Sequence, residues 1–160
     1  MGISYARGAV IAYTDADLPV DMDSVIGCIR SVQQCESDVF VGRRCRADGR
    51  RRCSAVRTML SWGFKGLVTL LWRLPVRDPA CCLKVFTRDV AFRIAEGARA
   101  NGFAFDVEVL LIAQSLGYSI RERGVNWIDK RAVKPFGLMV REVCSVLVEL
   151  ARLRFDVLFR

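Results

Sequence analysis

The sequence contains no histidine, and this absence narrows the chemistry open to the protein. Without histidine, the Ser-His-Asp and Cys-His mechanisms and the histidine-containing zinc sites are excluded. Lysine is also scarce, because 21 of the 25 basic residues are arginine. Planar arginine suits bidentate binding of phosphate, although a genome rich in arginine codons would explain the excess equally well. Any chemistry must therefore use carboxylates, arginine, lysine or hydroxyl groups.

Paired cysteines and long apolar runs are missing as well. The 7 cysteines are odd in number and form no CxxC pair, which favours reduced thiols in a reducing compartment over a disulfide framework or a zinc site. The first residues do not read as a secretory signal peptide. The purest apolar run, Gly66 to Trp72, is far shorter than the roughly 20 residues that a membrane-spanning helix needs.

The length and the charge indicate one basic, folded domain. The chain has 160 residues, of which 52% are hydrophobic, and its net charge is +8. Such a chain is too apolar to be a disordered polyelectrolyte, and we expect a single domain over residues 1–160. Seven arginines and one aspartate lie between Arg43 and Arg57. That run predicts either a solvated loop or a surface that binds phosphate, nucleic acid or an anionic membrane.

Strand and helix patterns alternate along the chain and predict an α/β fold. Ala9 to Tyr13 is typical of a buried strand, Asp21 to Gln34 of an amphipathic helix, and Asp38 to Gly42 of a second strand. Together they predict a βαβ unit. Further strands are expected at Cys82 to Phe86 and Ser119 to Trp127.

Four further helices are predicted from apolar periodicity and from residues that begin or end helices. Gly102 is expected to end the helix that begins at Thr87, and Gly117 the helix that begins at Phe105. The last is amphipathic, and we expect it to pack on the body of the protein or to lie on a membrane. These helices span Ala55 to Trp72, Thr87 to Arg99, Phe105 to Leu116 and Gly137 to Leu158.

Two acids follow the first predicted strand. Asp15 and Asp17 flank one small residue, so both carboxylates can reach one divalent cation that also binds diphosphate oxygens. Mg²⁺ or Mn²⁺ is the natural ion. A DxD triplet also occurs by chance in many chains, so a solvated turn remains the alternative at this point.

Several short motifs occur in an order that resembles a known family. These are ARGAVIAYTDADL, DVFVGRR, RTMLS, DPACCLKVFTR, FAFDVEVL and GVNW. The order and spacing resemble those of family-2 GT-A glycosyltransferases of the polyprenyl-phosphate group, above all the dolichyl-phosphate β-glucosyltransferases. The most specific match lies in DPACCLKVFTR, at Asp78, Cys81, Lys84, Phe86, Thr87 and Arg88. The resemblance covers nearly the whole chain and implies a partial GT-A sheet that lacks the family's N-terminal part.

The resemblance also implies roles for individual residues. Asp15 and Asp17 would bind the metal and the donor diphosphate. The acceptor phosphate would be held by Arg44, Arg57, Ser61 and Lys134. Asp78, Lys84 and Glu108 are the predicted catalytic residues, and Asp106 lies on the same predicted helix as Glu108. For Asp106, a favourable interaction of its charge with the dipole at the start of the helix is as plausible as catalysis.

The implied reaction is an inverting, metal-dependent transfer of glucose from UDP-glucose to dolichyl phosphate, for protein N-glycosylation. It would take place on the cytosolic face of the endoplasmic reticulum membrane, with the enzyme bound peripherally. A phosphate nucleophile is largely ionised at neutral pH, so the lack of histidine is no obstacle. The alternatives are a dolichyl- or polyprenyl-phosphate mannosyltransferase, an inactive fragment, or a basic module that binds nucleic acid or an anionic membrane. Nucleic acid is not an expected partner under the leading hypothesis.

Overall fold

The fold, taken from a computed structural model, is described for residues 2–46, 55–100, 102–127 and 136–158. A mixed sheet lies at its centre with helices around it. The strands are β1 (Val10–Tyr13), β2 (Val39–Arg46), β3 (Lys84–Thr87) and β4 (Ile120–Trp127). The helices are α1 (Met22–Gln33), α2 (Ala55–Trp72), α3 (Arg88–Gly97), α4 (Phe103–Ser115) and α5 (Phe136–Leu158).

The strand order within the sheet is β1-β3-β2-β4. β3 runs antiparallel to both of its neighbours, whereas β2 and β4 are parallel. β1 and β2 therefore point the same way, as a βαβ unit requires, but they are not adjacent because β3 lies between them. A central strand needs apolar side chains on both faces, and Val85 and Phe86 of β3 are fully buried.

Helix α1 begins at a well-formed cap and packs on the sheet. The Asp21 carboxylate accepts a hydrogen bond from the backbone N–H of Ser24 at 2.6 Å, which satisfies one of the free donors at the helix start. Val25, Cys28 and Val32 are buried along one side of the helix, and α1 contacts all four of the strands described above. The predicted bounds of this helix are confirmed within one residue.

Helix α4 is enclosed by the rest of the protein. Residues 104–110 are all buried, and the helix contacts α3, α5 and β4. Its start corrects one prediction: Gly102 precedes α4 with a φ of +62°, and does not end α3. Helix α3 already ends at Gly97, since Ala98 has an extended backbone. A left-handed φ favours glycine, so residue 102 turns the chain into the next helix.

Strand β2 is longer than predicted, because it continues through Arg46 alongside β4. The first part of the arginine run is therefore strand, while residues 47–54 lie outside the described residues. Within the described ranges, no helix has both the length and the apolarity to cross a membrane.

Candidate active site

Several of the predicted site residues converge at one end of the sheet. In the strand register, Lys84 at the start of β3 lies between Tyr13 of β1 and Val41 of β2. Asp15 and Asp17 follow β1 directly, and Arg44 follows Val41 along β2. This is the end at which β1, β2 and β4 finish, where ligands of α/β proteins bind.

The two acids after β1 form a ligand set that fits a divalent cation shared with a substrate. Asp15 is partly exposed and Asp17 is exposed. Among the described residues there is no cluster of three or more side chains that could enclose a metal ion. Mg²⁺ and Mn²⁺ are commonly held by one or two carboxylates, with substrate phosphates and water completing the coordination. The oxygen donors of Asp15 and Asp17 suit that arrangement.

Lys84 and Asp106 form a buried ion pair behind these acids. The Lys84 Nζ lies 2.6 Å from Asp106 Oδ1 and donates a hydrogen bond to the Cys81 carbonyl at 2.6 Å. Burial raises the pKa of Asp106, the Lys84 ammonium opposes that shift, and the charge of Asp15 adds to it. The pair therefore lies within electrostatic range of the predicted metal site.

Tyr13 connects the pair to the first strand. Its ring lies 6.0 Å from Lys84 Nζ and packs edge-on against Phe105, with 5.5 Å between the ring centroids. Burial, followed by the charges of Asp106 and Asp15, raises the pKa of Tyr13 to about 12. The phenol is consequently neutral under ordinary conditions and can serve as a hydrogen-bond donor.

Asp78 binds two cations at once. Arg44 donates two side-chain hydrogen bonds to it, Nε to Oδ2 at 2.8 Å and Nη2 to Oδ1 at 2.7 Å. Lys65 Nζ lies 2.9 Å from the same Oδ1. Burial opposes ionisation of Asp78, but the hydrogen bonds and charge of Arg44, aided by Lys65, lower its pKa. Asp78 is therefore a carboxylate, and both of its oxygens are engaged.

Strand β4 fixes the position of this ion cluster. The Arg44 guanidinium lies over the Trp127 ring, 5.2 Å from its centroid. Glu122 accepts hydrogen bonds from the backbone N–H groups of Arg77 and Asp78, the latter at 2.8 Å. The loop that carries Asp78 and the guanidinium that it binds are thus both attached to β4.

Cys82 contacts the loop that carries the acids. Its sulfur lies 3.7 Å from the Thr14 hydroxyl. A hydrogen bond from the Cys81 thiol lowers the pKa of Cys82 against the effect of burial, and the backbone N–H of Asp15 lowers it further. The sulfur therefore helps to hold the chain at Thr14 and Asp15, the first of the two acids.

Glu108 is placed apart from these contacts. Its carboxylate accepts hydrogen bonds from the backbone N–H groups of Arg99, at 3.0 Å to each oxygen, and of Ala100, at 2.8 Å. Glu108 thus supports the connection between α3 and α4, and its predicted catalytic role stays a prediction.

The other predicted acceptor-phosphate residues are Arg57, Ser61 and Lys134. Arg57 and Ser61 occupy positions on α2, but their side chains are not among those described. Lys134 and the run Arg50 to Arg52 lie outside the described residues. The roles predicted for Arg57, Ser61 and Lys134 stay predictions.

Two residues at the site, Lys65 and Trp127, had no predicted site role. A signal for Lys65 was present, since it follows Ser61 by four residues on a predicted helix, and positions four apart lie on one side of a helix. Trp127 ends the GVNW motif, but its contact with Arg44 could not be predicted, because that contact depends on the pairing of β2 with β4.

Comparison with solved structures identifies the fold as that of GT-A glycosyltransferases. Mannosyl-3-phosphoglycerate synthase from Rubrobacter xylanophilus matches with a TM-score of 0.65 at 17% identity, over 97% of this chain and 49% of that one. Glucosyl-3-phosphoglycerate synthase from Mycobacterium tuberculosis, solved with uridine diphosphate, matches with a TM-score of 0.63 at 14% identity, over 92% and 51%. The latter synthase has also been solved with Mn²⁺ and UDP-glucose. The predicted α/β class and partial GT-A sheet are confirmed.

Comparison with curated proteins is more specific and confirms the resemblance found in the motifs. The chain is 30% identical to the dolichyl-phosphate β-glucosyltransferase of Dictyostelium discoideum, over 96% of this chain and 48% of that protein. It is 33% identical to the enzyme of the same name from Homo sapiens, over 81% and 42%. The chain thus spans about half the length of the curated relatives it matches. No family model matches the sequence.

Proposed function

We propose that this chain carries donor and acceptor residues of a dolichyl-phosphate β-glucosyltransferase, and that it transfers glucose from UDP-glucose to dolichyl phosphate with inversion. The observation that carries the proposal is the similarity, at 30% identity over 96% of the chain, to a curated enzyme of that name. The cluster of acids and arginine at one end of the sheet supports it. Residues 1–160 would act as one catalytic domain.

The acceptor phosphate would bind beside Arg44. The guanidinium is held by Asp78 and lies against Trp127, so its orientation is set before the lipid arrives. Arg57, Ser61 and Lys134 would complete the phosphate site. The phosphate is largely ionised at neutral pH, and its oxygen would attack the anomeric carbon from the side opposite UDP. Positioning and charge neutralisation would therefore supply most of the rate enhancement, without a histidine base.

The donor diphosphate would bind beside Asp15 and Asp17, which would hold Mg²⁺ or Mn²⁺. The bound metal would supply charge neutralisation for the departing diphosphate. Asp17 is exposed and can reach an incoming ligand, while the backbone of Asp15 is held close to Cys82. These two residues would thus fix where the leaving group sits.

Lys84 and Asp106 would define the region between the donor and acceptor sites. Because Lys84 is fully buried and bonded to Asp106, it would set the position of that carboxylate and the local field. The predicted catalytic residues are Asp78, Lys84 and Glu108, and the contacts favour an organising role for each of the three.

The membrane location is part of the same proposal. A lipid-linked acceptor requires the enzyme to work at a bilayer surface, which we place at the cytosolic face of the endoplasmic reticulum. Exposed apolar side chains on α2, at Leu67, Leu70 and Leu71, together with the net charge of +8, suit peripheral contact with an anionic bilayer.

Calorimetric titration with nucleotide sugars tests the donor side of the proposal. UDP-glucose should bind in the presence of Mn²⁺ and much more weakly without it, and Asp17→Asn should remove the metal-dependent part. GDP-mannose serves as the competing donor. Tighter binding of GDP-mannose would favour the mannosyltransferase alternative, and no binding of either nucleotide would favour an inactive fragment.

A further inference from the structure

We propose that Lys65 is a further cation of the acceptor-phosphate site, and that Asp78 is a positioning residue that holds Lys65 and Arg44 side by side for one phosphate monoester. This inference rests on the proposed function, since it concerns the acceptor of that reaction. It gives Asp78 a role without contact with the reacting atoms.

The three side chains form a compact group with an excess of positive charge. Asp78 Oδ1 is shared between Arg44 Nη2, at 2.7 Å, and Lys65 Nζ, at 2.9 Å. One carboxylate therefore joins two cations, and the group carries a net charge of +1. A phosphate dianion offers several acceptor oxygens, and each charge-assisted hydrogen bond to a further cation strengthens its binding.

Asp78 is more deeply buried than the two cations that it binds. The Asp78 side chain is 3% exposed, whereas those of Arg44 and Lys65 are 27% and 21% exposed. The anion thus lies beneath the surface and the two cations lie nearer to solvent. A simple structural ion pair needs only one cation, and here Arg44 alone already satisfies both carboxylate oxygens. Lys65 is the surplus charge that this arrangement brings to the surface.

The positions along α2 agree with this assignment. Residues 57, 61 and 65 recur every four positions, so the helix register places them along one side of α2. Two of these positions are the predicted phosphate residues Arg57 and Ser61. Asp78 connects the third to Arg44 on β2, and so joins the helix side and the strand side of the predicted site.

Substitution of Asp78 gives the sharpest test because two explanations predict opposite signs. If charge alone controlled binding, Asp78→Asn would strengthen the binding of an anion by removing a negative charge. If Asp78 positions the two cations, the same variant would weaken binding, because neither cation would keep its place.

The experiment is titration of the full chain with a short-chain prenyl phosphate, with inorganic phosphate as a second arm that separates lipid from free phosphate. Lys65→Gln should weaken prenyl phosphate binding about tenfold, the scale of one charge-assisted hydrogen bond. Lys65→Arg should restore most of the affinity, and Asp78→Asn should weaken it. Arg93→Gln is the matched control, because Arg93 is an exposed cation that pairs with Glu96 on α3.

UDP-glucose binding with Mn²⁺ is measured on the same variants and should change little in Lys65→Gln. Thermal melting confirms that each variant is folded. The inference is overturned if Lys65→Gln binds prenyl phosphate as tightly as Arg93→Gln does, or if wild type does not bind it at all. If wild type binds prenyl phosphate in a Lys65-dependent way but does not bind UDP-glucose, the inference stands and the proposed transferase activity fails. Equal loss of prenyl phosphate and inorganic phosphate affinity supports recognition of the phosphate itself.

Discussion

Lys84 has no solvent-exposed surface, and its ammonium is satisfied by one carboxylate and one backbone carbonyl. Replacing it with methionine would leave Asp106 buried without its cation. Removal of one partner of a buried pair typically costs about 3–5 kcal/mol. We expect Lys84→Met to lower the free energy of unfolding by an amount in that range, as measured by urea denaturation.

The double variant Lys84→Met with Asp106→Leu is the control for that measurement, because it removes both charges. It should recover a large part of the lost stability. Equal stability of wild type and Lys84→Met would contradict the buried pair.

The sequence predicted which residues lie at the site better than it predicted which side chains they contact. Asp78, Lys84, Asp15 and Asp17 were all singled out from motifs, and the structure brings them to one end of the sheet. Their partners could not be predicted, because Arg44 and Asp78 are 34 positions apart and Lys84 and Asp106 are 22 positions apart. Such contacts depend on strand order, which no local pattern contains.

At the scale of single elements, the start of α1 depends on one carboxylate. The backbone hydrogen bond from Ser24 is the main cause that lowers the pKa of Asp21 below its ordinary value of 3.8. The cap's contribution is therefore complete above that value and is lost as pH falls through the lower pKa of the folded state. Asp21→Ala should cost about 1 kcal/mol at neutral pH in a denaturation experiment.

Asp21→Asn separates the cap from its charge, because asparagine caps helices nearly as well. This variant should keep most of the stability at neutral pH and lose less than wild type does when the medium is acidified below the ordinary pKa of aspartate. An identical acid response in both proteins would show that Asp21 does not contribute to it.

Two glycines offer opposite tests of packing. A Cβ at Gly42 on β2 would lie 3.0 Å from Cys81 Sγ, 3.1 Å from Val125 Cγ2 and 3.2 Å from Leu83 Cβ. A Cβ at Gly63 on α2 would meet nothing within 4 Å. Gly42→Ala should therefore destabilise the protein by about 1–3 kcal/mol, and Gly63→Ala should stabilise it by up to about 1 kcal/mol.

Urea denaturation of the two alanine variants gives the comparison directly. A neutral effect at Gly42 would mean that β2, the Cys81 loop and β4 are packed less closely than described. A loss of stability at Gly63 would indicate that its helical position is covered by something other than solvent.

Most elements could be predicted because their apolar spacing is local, and α1, α2, β4 and α5 agree with the predicted bounds within one residue. The insertion of β3 between β1 and β2 could not be predicted, because Cys82 to Phe86 reads as a buried strand of either direction. The role of Gly102 was assigned to the wrong helix, since a glycine between two helices can end the first or precede the second, and only its backbone angle decides.

At the scale of the whole molecule, the net charge of +8 predicts attraction to anionic surfaces. Binding to vesicles that contain phosphatidylserine should exceed binding to neutral phosphatidylcholine vesicles and should weaken as salt is raised, because screening shortens the range of the attraction. Sedimentation of vesicles with bound protein measures this.

Asp17→Asn is a useful control in the same assay, since it should keep vesicle binding while it loses metal-dependent binding of UDP-glucose. Equal binding to neutral and anionic vesicles would contradict an electrostatic contribution. Tighter, salt-sensitive binding to duplex DNA than to vesicles would favour the basic nucleic-acid module.

The most direct test of the central claim is transfer of labelled glucose from UDP-glucose to a polyprenyl phosphate by the purified 160-residue chain with Mn²⁺. We predict a lipid-linked β-glucosyl phosphate, reduced at least about tenfold in Asp17→Asn, on the scale of a lost metal ligand contact. Absence of lipid-linked label from wild-type protein that is folded and binds both substrates would contradict the claim.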